Sequence, residues 1–252
     1  MAGVSLDQRE PDTEPVLAAP RGPQLGMSYI HADRPRALPD QPRRQVRRAA
    51  AQLDHIQPSP AVACATSRVR IGPMVTPLSR RRVHKVARET VTLDLLSSGR
   101  LTLGVGLGSA RNGELEPFGE VADPRERARL LDQGLGDLVK YWAGEFQPVP
   151  LQQPRIPVWV AAEWPHRRPV RRARRWDGLF PTGLPGPAAL AELTKEIGET
   201  HPAGDPFDVI VPIPPGDDPK PWARAGATWV VSDFGMQPTG AEVREVIDAG
   251  PG

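Results

Sequence analysis

The sequence predicts an α/β protein in which parallel strands alternate with helices, as a doubly wound sheet or a (β/α)8 barrel. First, six apolar segments alternate with amphipathic helical segments over about 190 residues, from residue 66 onward. Second, the strand segments are apolar throughout, as strands covered on both faces must be. Third, no Gly-x-Gly-x-x-Gly turn follows the first strand segment, which argues against a Rossmann dinucleotide site.

The strand segments are short apolar runs bounded by glycine, proline or polar residues. They cover residues 68–75, 101–106, 156–161, 178–180, 207–211 and 227–232. Between them apolar residues recur at helical spacing. This spacing predicts helices over residues 82–96, 123–142, 167–176, 187–197 and 218–225, and a last one from about residue 239. Six strand–helix units are two fewer than a closed (β/α)8 barrel needs.

Residues that cap or break helices mark the helix ends. Asp123 followed by Pro124 is typical of an N-cap and the first helical position, and the pair Gly186-Pro187 predicts another helix start. Gly99 is placed to end the helix over 82–96. These boundaries leave a loop between each strand and the following helix, which is where parallel α/β barrels carry their chemistry.

The first 52 residues differ from the rest of the chain. They contain seven prolines, no Phe or Trp, and no window with strand alternation or a sustained helical period. So little apolar surface does not offset the entropy lost when a chain becomes ordered. The sequence therefore predicts a disordered, Arg/Pro-rich segment over residues 1–52 and a folded domain over residues 53–252.

Charge and composition exclude several classes of function. The chain has 32 basic and 30 acidic residues, and its arginines lack interleaved aromatic residues, so no nucleic-acid binding is expected. No apolar run approaches the ~18 residues of a membrane span or forms a signal peptide, so a cytoplasmic protein without membrane contact is expected. The single cysteine, Cys64, excludes an intramolecular disulfide and a cysteine-built zinc site, and no metal site is expected.

Three motifs follow one another between residues 72 and 108. Residues 72–77 read Gly-x-x-Val-Thr-Pro, residues 93–100 read Leu-Asp-x-Leu-Ser-x-Gly-Arg, and residues 101–108 read Leu-x-Leu-Gly-Val-Gly-x-Gly. In this order, and together with the segments 117–146 and 157–181, they resemble the luciferase-like monooxygenase family. The similarity extends over about residues 54–250, and its length and order make it specific.

This resemblance implies a TIM-type (β/α)8 barrel of the luciferase-like kind over residues 53–252, with its chemistry at the carboxyl ends of the strands. The six strands would be the family's third to eighth, so the first one to two βα units are expected to be missing or degraded. The resemblance also implies FMN or the deazaflavin coenzyme F420 as cofactor. A small organic substrate and a flavin reductase, or another supplier of reduced cofactor, are the expected partners.

The resemblance places a wall for the flavin ring at Met74, Val75 and Thr76, near a point where family members often have a non-prolyl cis peptide. A flavin needs such a flat apolar surface against its ring system. The alternative is that these three are ordinary barrel residues.

The turn after the second strand segment is the next expected cofactor contact. It contains Gly106, Leu107, Gly108 and Ser109. Glycine allows backbone N–H groups to approach a cofactor closely, and Ser109 adds a hydroxyl donor. The alternative is a plain turn between a strand and a helix.

The resemblance places the cofactor phosphate in the loop after the third strand segment, at Glu163, Trp164, Arg167 and Arg168. The two arginines would pair with phosphate oxygens at the start of a helix, and Trp164 is able to stack on the ring system. Glu163 would have to point away. The alternative is a solvated basic helix, and its other arginines are expected on the surface: Arg171, Arg172, Arg174 and Arg175.

His55 is the candidate catalytic residue. The run Asp54-His55-Ile56 resembles the end of the family's second strand, and a near-neutral pKa suits proton transfer to a reduced flavin or a substrate. The alternative is a structural or solvent-exposed histidine.

Two functions therefore remain open. The first is a flavin-dependent oxidoreductase that uses reduced FMN with dioxygen, or transfers a hydride from a deazaflavin to a small organic molecule. The second is an incomplete, inactive barrel that binds flavin weakly or pairs with a complete homologue. In either case, the exposed strand edges of a six-stranded remnant predict self-association into a homo-oligomer.

Overall fold

The computed structural model describes residues 26–27, 59–108, 115–199, 206–235 and 238–250, and its seven strands form one parallel sheet. The strands are β1 (Gly26–Met27), β2 (Thr76–Pro77), β3 (Leu103–Gly106), β4 (Val158–Glu163), β5 (Gly178–Thr182), β6 (Asp208–Ile213) and β7 (Trp229–Ser232). Their order in the sheet is β1-β7-β6-β5-β4-β3-β2, so the first of the described strands pairs with the last. This is the order of strands in a parallel barrel, and among the described residues no strand lies between β1 and β2.

Helices alternate with the strands and include all six that the sequence predicts. They are α1 (Ser59–Ala65), α2 (Val83–Leu96), α3 (Pro124–Lys140), α4 (Arg167–Ala173), α5 (Pro187–Gly198), α6 (Lys220–Arg224) and α7 (Gly240–Ala249). The expected N-cap of α3 is confirmed, because the Asp123 side chain accepts a hydrogen bond from the Arg125 backbone N–H. Gly99 follows α2 with φ +77°, as a helix-ending glycine should. No helix within the described ranges is long and apolar enough to cross a membrane.

The first predicted strand, over residues 68–75, is the one that differs most from the structure. Residue Ile71 forms an isolated bridge with Leu101, and the Gly104 N–H donates to the Pro73 carbonyl at 3.1 Å. The chain therefore runs beside β3 as predicted. Regular strand pairing begins only at Thr76–Pro77, beyond Met74 and Val75.

The N-terminal segment contributes β1, which the sequence did not reveal. Gly26 pairs with Trp229 and Met27 with Val230, in parallel. A two-residue parallel strand has no room for alternation, so a search for periodicity passes over it. The rest of residues 1–52 lies outside the described part of the chain, and its disorder and the domain boundary at residue 53 stay predictions.

The side chains of β4 alternate between the two faces of the sheet. Val158, Val160 and Ala162 are 0–3% exposed and belong to the core that packs against the helices. Trp159, Ala161 and Glu163 point to the opposite face, since successive side chains in a strand alternate. This second face is the interior of the barrel.

The interior is closed at the amino ends of the strands by two tryptophans that share one carboxylate. Asp208 accepts hydrogen bonds from the indole N–H groups of Trp159 at 3.1 Å and Trp229 at 2.9 Å. The two rings lie 5.7 Å apart. The space for a ligand is therefore toward the carboxyl ends.

Two charged residues of the second motif, Asp94 and Arg100, have structural roles. The fully buried Asp94 carboxylate accepts from the backbone N–H groups of Leu151 (2.8 Å) and Gln152 (3.2 Å) and from the Gln152 side-chain amide (2.7 Å). This carboxylate therefore fixes the loop before β4 to the end of α2.

Arg100 joins α1 to the sheet. Its guanidinium donates to the carbonyl oxygens of Ala63 at 3.0 Å, Thr66 at 2.8 Å and Val69 at 2.6 Å, and its Nε donates to the Ser97 carbonyl. Five donors on a planar fork suit a site made of several carbonyl oxygens. The motif thus holds the amino end of β3 in place.

Candidate active site

The carboxyl ends of β2, β3 and β4 bring the predicted wall residues together. Met74 and Val75 lie over β3, where both facing residues are glycine. A Cβ on Gly104 would overlap the Pro73 carbonyl and come within 2.9 Å of the Met74 sulfur. A Cβ on Gly106 would lie 2.9 Å from Val75 Cγ2 and 3.4 Å from Ala161 Cβ. The glycines therefore allow the Met74–Val75 segment to lie directly on the sheet.

The resulting surface, formed by Met74, Val75, Gly104, Gly106 and Ala161, is called here the apolar wall. Met74 and Val75 are half-buried. The peptide bond between them is cis and non-prolyl, so the expectation drawn from the family at this position is confirmed. The wall exposes no charged side chain toward the barrel interior.

Thr76 is placed differently from its two neighbours. It pairs with Val105, whose side chain lies on the helix-facing side of β3, and residues paired in a parallel sheet share a face. The Thr76 side chain is 1% exposed, and its hydroxyl has no hydrogen-bond partner among the described residues. The Thr76 side chain therefore does not contribute to the wall. The sequence analysis had placed all three residues in it.

The turn after β3 contacts Pro77, Ser79 and Arg127. Gly108 has φ +72°, and a Cβ there would lie 2.9 Å from Pro77 Cβ. The Leu107 carbonyl accepts from the Ser79 hydroxyl at 3.3 Å and from Arg127 at 3.2 Å. Ser109, the fourth residue predicted here, lies outside the described residues, as does the candidate catalytic residue His55.

Sequence reasoning missed Arg127. It lies on the same helical face as Leu131, Leu135 and Leu138, all of which are buried, and it is itself only 5% exposed. A charged residue in register with an apolar stripe was the available signal, because such a side chain is buried when the helix packs.

The loop after β4 contains the other predicted group. Glu163 and Arg168 are exposed and Trp164 is half-buried. The Arg167 guanidinium lies 4.6 Å from the centre of the Trp164 ring and pairs with Glu196 at 3.3 Å and Glu192 at 3.6 Å on α5. Two carboxylates therefore already compete for Arg167, whereas Arg168 remains exposed at the start of α4.

Arg171 and Arg175 lie on the surface as predicted and Arg174 is half-buried, but the prediction is wrong for Arg172. Its guanidinium is 9% exposed and makes a two-point contact with Asp132 of α3, at 2.7 and 3.0 Å. Arg175 adds a contact to the same carboxylate at 2.8 Å. Burial alone would raise the pKa of Asp132, but the hydrogen bonds and charges of the two arginines outweigh it and lower the pKa.

Replacing Asp132 with asparagine is expected to destabilise the protein by about 1–2 kcal/mol at neutral pH, since Arg172 loses its counter-charge and the half-exposed carboxylate is partly screened. A lowered pKa in the folded state gives stability that is present above the ordinary value of 3.8 and lost as the pH falls through the folded-state value. Denaturant melts between about pH 5 and about pH 2 should therefore show a smaller loss in Asp132→Asn than in the wild type. An equal loss in both proteins would contradict this assignment.

A cavity of about 980 Å³ lies on the same side of the barrel, beyond β6 and β7. Its charged lining residues are mainly acidic: Asp217, Asp218, Asp233, Glu242 and Glu245, with Lys220. This charge disfavours a phosphate there. Within the described ranges, no group of three His, Cys, Asp or Glu side chains is arranged to hold a metal ion.

Comparisons with known proteins agree with this geometry. The model of the luciferase-like monooxygenase family matches residues 43–216. An uncharacterized protein of Mycobacterium tuberculosis is 30% identical over 202 residues, which cover 72% of this chain and 69% of that protein. The oxygenase component of a flavin-dependent trigonelline monooxygenase from Acinetobacter baylyi is 29% identical over 119 residues, 42% of this chain and 33% of that protein.

The fold also matches solved structures. The coenzyme F420-dependent tetrahydromethanopterin reductase of Methanopyrus kandleri superposes with a TM-score of 0.59 at 14% identity, over 77% of this chain and 86% of that one. At this identity the match shows the fold, which is a luciferase-like TIM-type barrel of which the described strands form a part.

Proposed function

The chain belongs to the luciferase-like monooxygenase family, and on this premise we propose that it is a flavin- or deazaflavin-dependent oxidoreductase acting on a small organic molecule. The observation that carries the proposal is the apolar wall at the carboxyl ends of β2, β3 and β4. It combines the Met74–Val75 segment with three small residues on the interior face of the sheet. A barrel of this kind places its chemistry on that side.

The residues present fit the ring system of such a cofactor. Met74 and Val75 offer apolar surface without a charged neighbour on the wall, and Gly106 keeps the space beside them free of a side chain. Reduced FMN would supply electrons to dioxygen, whereas reduced F420 would supply a hydride. The Acinetobacter relative is flavin-dependent by name and the Methanopyrus enzyme is F420-dependent by name, so both cofactors remain in the proposal.

For the cofactor's anionic end we propose the loop after β4. Arg168 is exposed at the start of α4, and Trp164 presents an aromatic face that Arg167 already covers on one side. Glu163 is exposed and would have to turn away from a phosphate, since like charges repel. Gly108 and Ser109 are proposed to contact the cofactor through backbone and hydroxyl donors. His55 is proposed to hold and transfer a proton at its imidazole.

The experiment that tests this function is a titration of the purified protein with FMN and with F420, each oxidised and reduced, followed by absorbance and fluorescence. We expect saturable binding of one of the two in the micromolar range, with Arg168→Ala weakening binding and Arg171→Ala serving as a control from the exposed side of the same helix. Turnover would then be sought with a flavin reductase for FMN, or with chemically reduced F420. A protein that binds neither cofactor in any redox state would refute the proposal.

The open sheet favours one alternative. Among the described residues no strand fills the gap between β1 and β2, and the alternative function is that of an incomplete barrel. In that case the protein would bind flavin weakly, or would pair with a complete homologue or with itself. Light scattering during the titration separates these cases, because pairing with itself or with a homologue raises the molecular mass above that of one chain.

A further inference from the structure

Arg127 is a buried charge in an unusual setting. It occupies the first turn of α3, next to the carboxyl end of β3, and is only 5% exposed. Its Nη1 donates to the carbonyl oxygens of Gly108 at 2.7 Å and Leu107 at 3.2 Å. Among the described residues no carboxylate pairs with it, and its buried Nε has no acceptor.

The free-energy cost of burying the Arg127 guanidinium indicates that its charge has a role beyond packing. Taking a guanidinium out of water costs several kcal/mol, and carbonyl oxygens repay less of that cost than a carboxylate does. A leucine at this position would continue the apolar stripe of α3 at no such cost. The charge therefore serves something other than packing, and the two carbonyls it contacts belong to the turn next to the apolar wall.

These contacts also fix the orientation of the peptide group between Leu107 and Gly108. In a trans peptide the carbonyl and the following N–H point in opposite directions. Because the Leu107 carbonyl points to Arg127, the N–H of Gly108 points away from it. Ser79 donates a hydrogen bond to the same Leu107 carbonyl, and Pro77 lies against Gly108.

We propose that Arg127 is the positioning residue of the cofactor edge: it holds the Leu107–Gly108 carbonyls inside the protein, so that the Gly108 N–H and the positive charge behind it favour an electron-rich or anionic part of the bound cofactor. This inference rests on the proposed function. The role is indirect, since Arg127 acts through the turn and is itself buried beneath it.

The test compares Arg127→Met and Arg127→Lys with Arg125→Met, an exposed arginine in the same helical turn. The dissociation constant of the preferred cofactor is measured by fluorescence, and backbone hydrogen exchange is followed in β3 with its turn (residues 103–108) and in β4 (residues 158–163). We expect Arg127→Met to weaken cofactor binding at least tenfold and to accelerate exchange at 107–108 but not in β4. Arg125→Met should change neither, and Arg127→Lys should fall between them.

The outcomes decide the proposal in each case. Unchanged affinity together with unchanged exchange at 107–108 in a folded Arg127 variant would overturn it. Accelerated exchange across both strands would mean that Arg127 supports the fold generally, which also overturns it. If Arg127→Met does not fold, Arg127→Lys decides, because lysine keeps the charge but has a shorter side chain without the guanidinium geometry. If the wild type binds neither cofactor, the proposed function fails, and the exchange measurement still decides the positioning role.

Discussion

Replacing Asp94 with alanine is expected to lower the free energy of unfolding by about 3 kcal/mol, the scale of leaving several buried donors without an acceptor. The Asp94 carboxylate is fully buried and is the acceptor for two backbone N–H groups and one side-chain amide, from Leu151 and Gln152. The two backbone N–H groups lose this acceptor in the variant, whereas the Gln152 amide keeps its hydrogen bond to the Leu101 carbonyl at 2.6 Å. Urea melts should show the loss as a lower midpoint with an unchanged slope.

Asp137→Ala is the matched control. Asp137 lies on α3 and pairs with the exposed Lys140 at 3.0 Å. Surface pairs of this kind contribute less than about 1 kcal/mol, so this variant should unfold close to the wild type. Similar losses in both variants would mean that the Asp94 hydrogen bonds do not hold the loop before β4.

Replacing Gly106 with valine is expected to weaken cofactor binding by at least about tenfold and to destabilise the fold by about 1–3 kcal/mol, the usual cost of overpacking. The new Cβ alone would lie 2.9 Å from Val75 Cγ2 and 3.4 Å from Ala161 Cβ. Valine is stiff about χ1, so the Val75 side chain has to shift, and Val75 is part of the apolar wall. The loss of binding should therefore exceed what the lower stability alone produces at temperatures where the variant stays folded.

Gly136→Val provides the control, because a Cβ at this helical position of α3 meets nothing within 4 Å. Valine and glycine differ little in helix propensity, so its stability should change by no more than about 0.5 kcal/mol and its cofactor affinity should not change. Thermal melts and the cofactor titration are run on both variants. If Gly106→Val binds cofactor as the wild type does while it melts earlier, Gly106 serves packing alone.

The glycines of the third motif illustrate how far sequence reasoning reaches. Their pattern predicted a place where backbone approaches something closely. The structure identifies the close neighbours of Gly104 and Gly106 as the Met74–Val75 segment and Ala161, so the glycines shape the wall before any cofactor is bound. A sequence states that a side chain is absent, but not which part of the chain uses the space.

Local signals determined the order of the elements. Apolar runs, the Asp123–Pro124 helix start and the Gly99 helix end act through neighbouring residues, and β3 to β7 and their helices follow from them. The motifs between residues 72 and 108 predicted the family, which the match over residues 43–216 confirms. The position of the cis peptide at Met74–Val75 also followed from the resemblance.

Only the tertiary structure decided what the charged residues do. Asp94, Arg127 and Arg172 are far in sequence from the groups they contact, by 57, 19 and 40 positions for the bonds to Leu151, Gly108 and Asp132. A buried charge is stable only where donors or acceptors converge on it from several elements, and that convergence depends on how the elements pack. Sequence periodicity describes one element at a time, so it predicted the helices that carry these residues but not the partners that bury them.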